Sequence, residues 1–535
     1  MSLQERITQY DGFEADEDGP ATALVLLSGA IAATVLSPLL WIFIRAGRVG
    51  FEEALVTITS GQNVDILFNS VTLVVGVTAG SLLLGVPLAI LTTGSDLPFR
   101  RFWTVTAALP LVIPSYIGAF AFVSAFGPHG VLTTVLAPVG IERIPEIYGF
   151  PGATLVLALF VYPYVFLATR AALLSLDGQL IEAARTLNHG RLSAFRRVVL
   201  PQLMPGISAG ALLVALYTLS DFGTPAIMRY EVFTQAIYVE SNAFNPEMAA
   251  LLSLQLVVVT VAILSLESQL GDASETRIGA SGQAGTFELG AWKLPAVAFC
   301  ALVAFMTLIV PLGILLMWLV RPEASYGGGF TFEWTVVFNT IAVAGVAAVA
   351  CVLAALPVGY LSARRDTRFP RLANRATYVG YAVPGIVLGF ALVSASQEIP
   401  VLYQSIPVLL FAYVVRFLPQ AVGTVRSSIL QVDSGLMEAA RTLDHSPSSA
   451  FRRVTLPLIA PGIAAGAALV FLTTMRELPA TLMLHPTGFE TIVTHIWLVT
   501  GAGYYGQAAV PALVLVGVSS LSMMIIIAKE RYNVE

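Results

Sequence analysis

About a dozen apolar stretches of roughly twenty residues, separated by short polar segments, decide how this chain can fold. They lie near 21–44, 67–93, 104–126, 153–174, 206–228 and 248–266, then near 294–320, 337–363, 376–396, 406–425, 462–484 and 509–528. Each is long enough to cross a hydrocarbon core about 30 Å thick as a helix. Of 535 residues 56% are hydrophobic and 11% charged, with a mean hydropathy of +0.81, against about 25% charged in soluble proteins. Inside lipid the backbone must satisfy itself, so only helices and closed barrels can span. A barrel needs alternating strands, and these runs are continuous. The expected fold is an all-α, multi-pass integral membrane protein with about 12 transmembrane helices. Cys300 and Cys351 lie inside apolar runs without a CxxC pattern, which fits packing and not a disulfide or metal site.

The chain is also a duplication. The polar segment 182–207, EAARTLNHGRLSAFRRVVLPQLMPGI, returns at 438–463 as EAARTLDHSPSSAFRRVTLPLIAPGI, with 18 of 26 positions identical at a constant offset of 256 (438 − 182). The match extends beyond it: Phe68-Asn69-Ser70 with Phe338-Asn339-Thr340, Pro87 with Pro357 and Pro114 with Pro384, all at offset 270. Each half holds six apolar segments with the repeated loop between the fourth and fifth. An even number per half makes the halves parallel repeats, related by an axis along the membrane normal. The expected organisation is an acidic tail at 1–20, a first half at 21–266, a Gly/Ser/Ala-rich flexible linker at 267–293 and a second half at 294–530.

Arginine orients the set. One group of connecting loops carries Arg100, Arg101, Arg185, Arg191, Arg196, Arg197, Arg364, Arg365, Arg368, Arg371, Arg375, Arg441, Arg452 and Arg453; the opposite group carries mainly Arg45, Arg48, Arg143 and Arg321. The positive-inside rule places both repeated loops and both chain ends in the cytoplasm of a cell (plasma or inner) membrane. The acidic start, with Glu5, Asp11, Glu14, Asp16, Glu17 and Asp18, is unlike a signal peptide. The net charge of −5 points to no nucleic-acid partner.

Within the repeated loop, Leu180, Ala183, Ala184 and Leu187 follow the i, i+3, i+4, i+7 spacing of one helical face, and Leu436, Ala439, Ala440 and Leu443 repeat it. Glu182 with Arg185, and Glu438 with Arg441, fall beside that face. A second short helix near 193–199 or 449–455 is expected to end at Pro201 or Pro457, since proline lacks the donor a helix interior needs. Small, apolar faces on a polar loop suit insertion into a groove on a soluble partner. The other reading is a pair of solvated loops that cap the bundle.

These residues carry a resemblance. The loop resembles the EAA motif of importer-type ATP-binding-cassette permeases: Glu182-Ala183-Ala184 with Val198, Leu200 and Pro201, and Glu438-Ala439-Ala440 with Val454, Leu456 and Pro457. The family's glycine is replaced by Asn188 and Asp444, both of which tolerate a left-handed turn. The resemblance implies the type I importer fold as two six-helix repeats, and coupling helices that dock on a cytosolic ATPase. The chain has no Gly-Lys-Ser/Thr P-loop. It is therefore expected to bind no cofactor and to have no catalytic site, with ATP and Mg held by two copies of a separate P-loop ATPase and the cargo delivered by an extracytoplasmic substrate-binding protein. The segments SDFGTPAIMRYEVFTQAIY and TTMRELPATLMLHPTGFETIVTHIW look like the ferric-iron branch of these permeases. Branches for thiamine, polyamines, phosphonates or sulfate share the architecture.

Ionisable residues inside a span default to functional candidates. Asp221 in the fifth segment and Glu477 in the eleventh match at offset 256, near the helix breakers Pro225 and Pro479, and Arg476 is next to Glu477. These five residues are candidates for the translocation path or its gate; the alternative is local pairing, in which Arg476 neutralises one of the carboxylates. If iron is carried, the two carboxylates are suitable oxygen donors. Asn69 and Asn339 read as interfacial hydrogen-bonders and Arg416 as a snorkelling or paired residue. The histidines show no metal-ligand spacing. An ion-driven secondary transporter, also built of parallel repeats, would need buried charge but no docking loops.

Overall fold

The computed structural model describes residues 22–127, 130–139, 147–176, 195–271, 287–320, 333–365, 367–433, 435–436 and 447–532. Among them there is no strand; the only bridge of that kind joins Ser95 and Phe287. The first repeat runs α1 (Thr22–Ala46), α2 (Gly61–Gly94), α3 (Arg100–Ala108), α4 (Ser115–Phe126), α5 (Gly149–Leu174), α6 (Leu200–Ser220), α7 (Gly223–Ile227), α8 (Phe233–Asn242) and α9 (Pro246–Gly271). The second runs α10 (Lys293–Ala304), α11 (Val310–Val320), α12 (Trp334–Arg364), α13 (Arg368–Ala382), α14 (Gly385–Ser396), α15 (Ile406–Leu430), α16 (Leu456–Met475), α17 (Pro479–Leu484), α18 (Ile492–Gly501) and α19 (Tyr505–Tyr532). Ten helices among the described residues are long and apolar enough to cross a bilayer, or eleven if α13 and α14 are one broken span.

All twelve expected apolar stretches are helical; a π-helical turn at Phe305–Ile309 joins α10 to α11 in the stretch near 294–320, and four other stretches are broken. The stretches near 104–126 and 376–396 break before Pro114 and Pro384, and those near 206–228 and 462–484 break after Ser220 and Met475. The first pair is a steric consequence of proline, which pushes the preceding residue out of the helical region. Ile113 sits at φ −88°, ψ 117°. Pro114 (−56°, 138°) and Pro384 (−56°, 141°) then start the next helix with the same geometry in both repeats.

The other prolines do not act as expected. Pro201 and Pro457 do not end a short helix; each lies in the first turn of a long one. A π-helical turn at Phe195–Val199 runs directly into α6, and another at Phe451–Thr455 runs directly into α16. The wider turn takes up the clash between a proline ring and the carbonyl one turn before it, so the helix continues.

By their contacts the residues divide into two compact bodies. The smaller holds Met1–Ser37, Ala347–Tyr381 and Val414–Val470. In it α16 lies so close to α15 that a Cβ on Gly462 would overlap the Ser428 hydroxyl, and one on Gly466 would overlap Thr424. The larger body holds Pro38–Val346, Ala382–Tyr413 and Phe471–Glu535. Here α6 meets α5 in the same way, at the equivalent Gly206 and Gly210: a Cβ on Gly210 would be 2.7 Å from the Val165 Cα. Small residues four apart allow this approach in lipid, where dispersion replaces the hydrophobic effect as the force between helices. The larger body's main core joins both repeats around Phe120, Phe160, Phe222, Leu478 and Ile496.

The segment between the repeats is tied down where it enters the second repeat. Helix α9 continues through Gly271, and on the other side the Phe287 amide donates to the Gly94 carbonyl at 2.9 Å. Asp96 accepts from the Leu289 amide at 2.8 Å and pairs with Lys293 at 2.7 Å. The Lys293 ammonium, then the Leu289 amide, hold the Asp96 carboxyl below the usual carboxylate range. A depressed folded-state pKa means that this latch is present above the unfolded carboxylate value and is lost as pH falls through the lower folded value. Hydrogen exchange at the Leu289 amide is therefore expected to be slow at neutral pH and to rise, relative to its intrinsic rate, only below the ordinary carboxylate range; Asp96→Asn should abolish that pH dependence.

Candidate translocation centre

Two helix breaks meet in the larger body. In the first repeat, Asp221 leaves the helical region after α6, at φ −75°, ψ 124°. Its Oδ2 accepts from the Thr224 amide at 3.0 Å, which caps α7, and its Oδ1 accepts from the Ser115 hydroxyl at 2.7 Å, at the start of α4. With the Ser115 proton so used, the Tyr217 hydroxyl, 3.0 Å away, donates to Ser115. The Asp221 carbonyl accepts from the Thr234 hydroxyl of α8 at 2.9 Å. One aspartate thus satisfies groups from α4, α7 and α8, groups that water cannot reach inside a membrane.

The second repeat uses its carboxylate in the same way. Glu477 is 6% exposed, and its Oε1 accepts from the Ala480 amide at 3.2 Å, which caps α17. Its carbonyl accepts from the Thr481 hydroxyl, and the Tyr413 hydroxyl is 2.7 Å from Thr481. Each carboxylate, one residue before the N-cap position (Phe222 or Leu478), therefore accepts from the amide three residues ahead, in the first turn of its short helix, and does for that turn what an N-cap side chain does. The prolines are not in register: at offset 256 Pro479 aligns with Gly223 and Pro225 with Thr481. Pro479 starts α17, whereas Pro225 is buried within α7.

Arg476 turns to the first repeat. Its Nη1 donates to the Leu111 carbonyl at 2.9 Å, a group left by the 3-10 turn that precedes Pro114. The two breaks touch at Gly223, where a Cβ would lie 2.5 Å from the Tyr116 Cβ and 3.4 Å from a Leu478 methyl carbon. Beside it the Phe222 ring lies 4.9 Å from Tyr238 and 5.0 Å from Trp497, which occupy equivalent positions in α8 and α18. Arg416 lies with its guanidinium 5.9 Å from the Phe417 ring.

Asn69 and Asn339 are hydrogen-bonders. Asn69 donates to the Glu231 carbonyl at 3.1 Å and Asn339 to the Glu490 carbonyl at 3.0 Å. Their neighbours complete a clamp: Ser70 accepts from the Phe233 amide at 3.1 Å and Thr340 from the Ile492 amide at 2.8 Å. The starts of α8 and α18 are thus held by the same device. The sequence carried the signal, Asn-Ser matching Asn-Thr, but not the partner. Ser115, Tyr116 and Tyr217 carried no signal inside their apolar runs. Glu182, Ala183, Ala184, Arg185 and Leu187, with Glu438, Ala439, Ala440, Arg441 and Leu443, lie outside the described residues. Beyond them Arg196, Arg197, Arg452 and Arg453 are exposed.

The family model for the binding-protein-dependent transport system inner membrane component matches residues 81–325 and 355–529. The chain is 30% identical over 516 residues to the Fe(3+)-transport system permease protein FbpB 2 of Haemophilus influenzae, covering 95% of this chain and 98% of that one. It is 24% identical over 500 residues to the ferric transport system permease protein FbpB of Actinobacillus pleuropneumoniae, covering 87% and 71%. Over 253 residues it is 33% identical to the molybdenum transport system permease protein ModB of Mycobacterium tuberculosis, covering 46% of this chain and 90% of the other. The chain belongs to the family of binding-protein-dependent transport system inner membrane components.

The capping geometry sets an expectation. Asp221→Ala leaves the Thr224 amide and the Ser115 hydroxyl without their acceptor, and is expected to cost about 1–3 kcal/mol. Asp221→Asn keeps an oxygen for the Thr224 amide and should cost less. Thermal unfolding in detergent checks the order.

Proposed function

We propose that this member of the binding-protein-dependent family is the membrane subunit of an ATP-driven importer whose cargo is ferric iron. The near full-length likeness to FbpB 2 carries that choice. The arginine distribution supports a cytoplasmic position for both chain ends and both repeated loops. On that side the loops receive two copies of a P-loop ATPase, which hold ATP and Mg; on the other side a substrate-binding protein delivers the ion. This chain itself supplies the path and no catalytic group.

The route of coupling follows from the helices. In this reading Ala183, Ala184 and Leu187, with Glu182 and Arg185 beside them, are the ATPase-coupling residues of one loop, and Ala439, Ala440 and Leu443, with Glu438 and Arg441, those of the other. Each loop leads through a π-helical turn, Phe195–Val199 or Phe451–Thr455, into one helix, α6 with Pro201 or α16 with Pro457 in its first turn. Twenty-one residues of α6 make a lever about 30 Å long. It ends at the carboxylate that caps the next short helix. Movement of the ATPases thus reaches the centre as a shift at Asp221 and Glu477, where the chain already bends. Asp221, Pro225, Arg476, Glu477 and Pro479 form the gate in this reading.

The test is reconstitution with the partner ATPase and binding protein in proteoliposomes. Ferric uptake is expected to require ATP and both partners; uptake that persists without ATP would instead mark a secondary transporter. Replacing Glu182 and Glu438 together by alanine is expected to cut ATP-driven uptake by roughly tenfold or more, about 1.4 kcal/mol of coupling, with the subunit still folded by its thermal transition.

A further inference from the structure

The two repeats agree at the capping carboxylates and differ in what surrounds them. Ser115 and Tyr116 correspond at offset 270 to Gly385 and Ile386, and Tyr217 corresponds at offset 256 to Thr473. Of these three first-repeat hydroxyls, only that of Tyr217 has a hydroxyl at the corresponding position, Thr473. Two of them have an evident task, since Tyr217 donates to Ser115 and Ser115 to Asp221. The third does not. Tyr116 is 5% exposed, and its hydroxyl is buried with no hydrogen-bond partner. An orphaned buried hydroxyl costs about 1–3 kcal/mol and calls for an explanation. It stands in the first turn of α4, against Gly223, where a Cβ would come within 2.5 Å of the Tyr116 Cβ.

We propose that the Tyr116 hydroxyl is an oxygen ligand for the cargo in passage, a hard trivalent cation that it holds together with the Asp221 and Glu477 carboxylates. The assignment rests on the ferric reading of the cargo. Hard cations take oxygen donors. Among the described residues no three of His, Cys, Asp and Glu come together, so a third protein oxygen at this centre has to come from another residue type. Tyr116 follows Ser115, which bonds Asp221, and packs at Gly223 beside Leu478, the neighbour of Glu477, and its hydroxyl has no partner. Ligation exchanges one bond for another: the phenolic O–H breaks, an Fe–O bond forms, and the hydroxide carried by the hydrolysed ferric ion takes the proton and leaves as water. The iron remains ferric throughout. Two carboxylates share this centre with the Arg476 guanidinium. That attracts a cation but weakens its hold relative to two unopposed carboxylates, and a transit site must bind loosely enough to release.

Tyr116→Phe tests this, because it removes one oxygen and keeps the ring. In the full complex with ATPase and binding protein, ferric uptake is expected to fall roughly tenfold, about 1.4 kcal/mol, with an unchanged thermal transition. A phenolate-to-iron charge-transfer absorption is expected in the wild-type complex turning over with ferric ion, and to be absent from the variant. Equal uptake by the two proteins, or the same absorption in both or in neither, overturns the proposal while leaving a ferric importer in place. Failure of the wild-type complex to take up ferric ion overturns both readings.

Discussion

A break in a membrane helix frees backbone donors and acceptors where water is scarce, and the protein has to supply their partners. This chain breaks four of its apolar stretches. At the breaks after Ser220 and Met475, Asp221 and Glu477 accept from the amides of the short helices that follow. Arg476 donates to the Leu111 carbonyl. Asn69 and Asn339 hold the carbonyls further along, and Ser70 and Thr340 accept the first amides of α8 and α18. These polar residues stand where unpaired backbone would otherwise cost several kcal/mol for each group.

This demand accounts for an ambiguity in reading charged residues in a span. A carboxylate within an apolar run is a candidate for transport, and the same carboxylate is also the natural cap of a helix that restarts in lipid. The two roles are compatible, because a carboxylate has two oxygens and about four lone-pair sites. Asp221 uses one oxygen on the Thr224 amide and the other on the Ser115 hydroxyl. A group that both fixes a break and faces a cargo links binding to the geometry of the hinge.

The architecture was legible in the sequence where it depended on long apolar runs and on the duplication, which gave the helical class, the twelve stretches and the parallel repeats. Pro114 and Pro384 were visible as matching prolines, and their steric rule explains the breaks there. Pro201 and Pro457 invited the same rule and did not obey it, because a π-helical turn in front of each lets the helix continue. That turn is decided by packing over a longer range than a proline rule can sense. The Ser115–Asp221 bond joins residues 106 apart, and no local pattern announces it. The carboxylates could be found by their charge in an apolar run, whereas Tyr116 could not, since a tyrosine there looks like any other aromatic.

Joining the two repeats in one polypeptide has a consequence for their chemistry. Two identical subunits around a twofold axis must present every group in pairs, so an arginine near the axis would arrive twice or not at all. Here position 476 is arginine while its counterpart, 220, is serine, and position 116 is tyrosine while its counterpart, 386, is isoleucine. A covalent link, anchored between Phe287 and Gly94 and between Lys293 and Asp96, fixes the stoichiometry at one of each. It removes the need for unlike halves to find each other after synthesis. The central axis can then carry an odd number of charges and a lone phenol, combinations that a symmetric dimer cannot build.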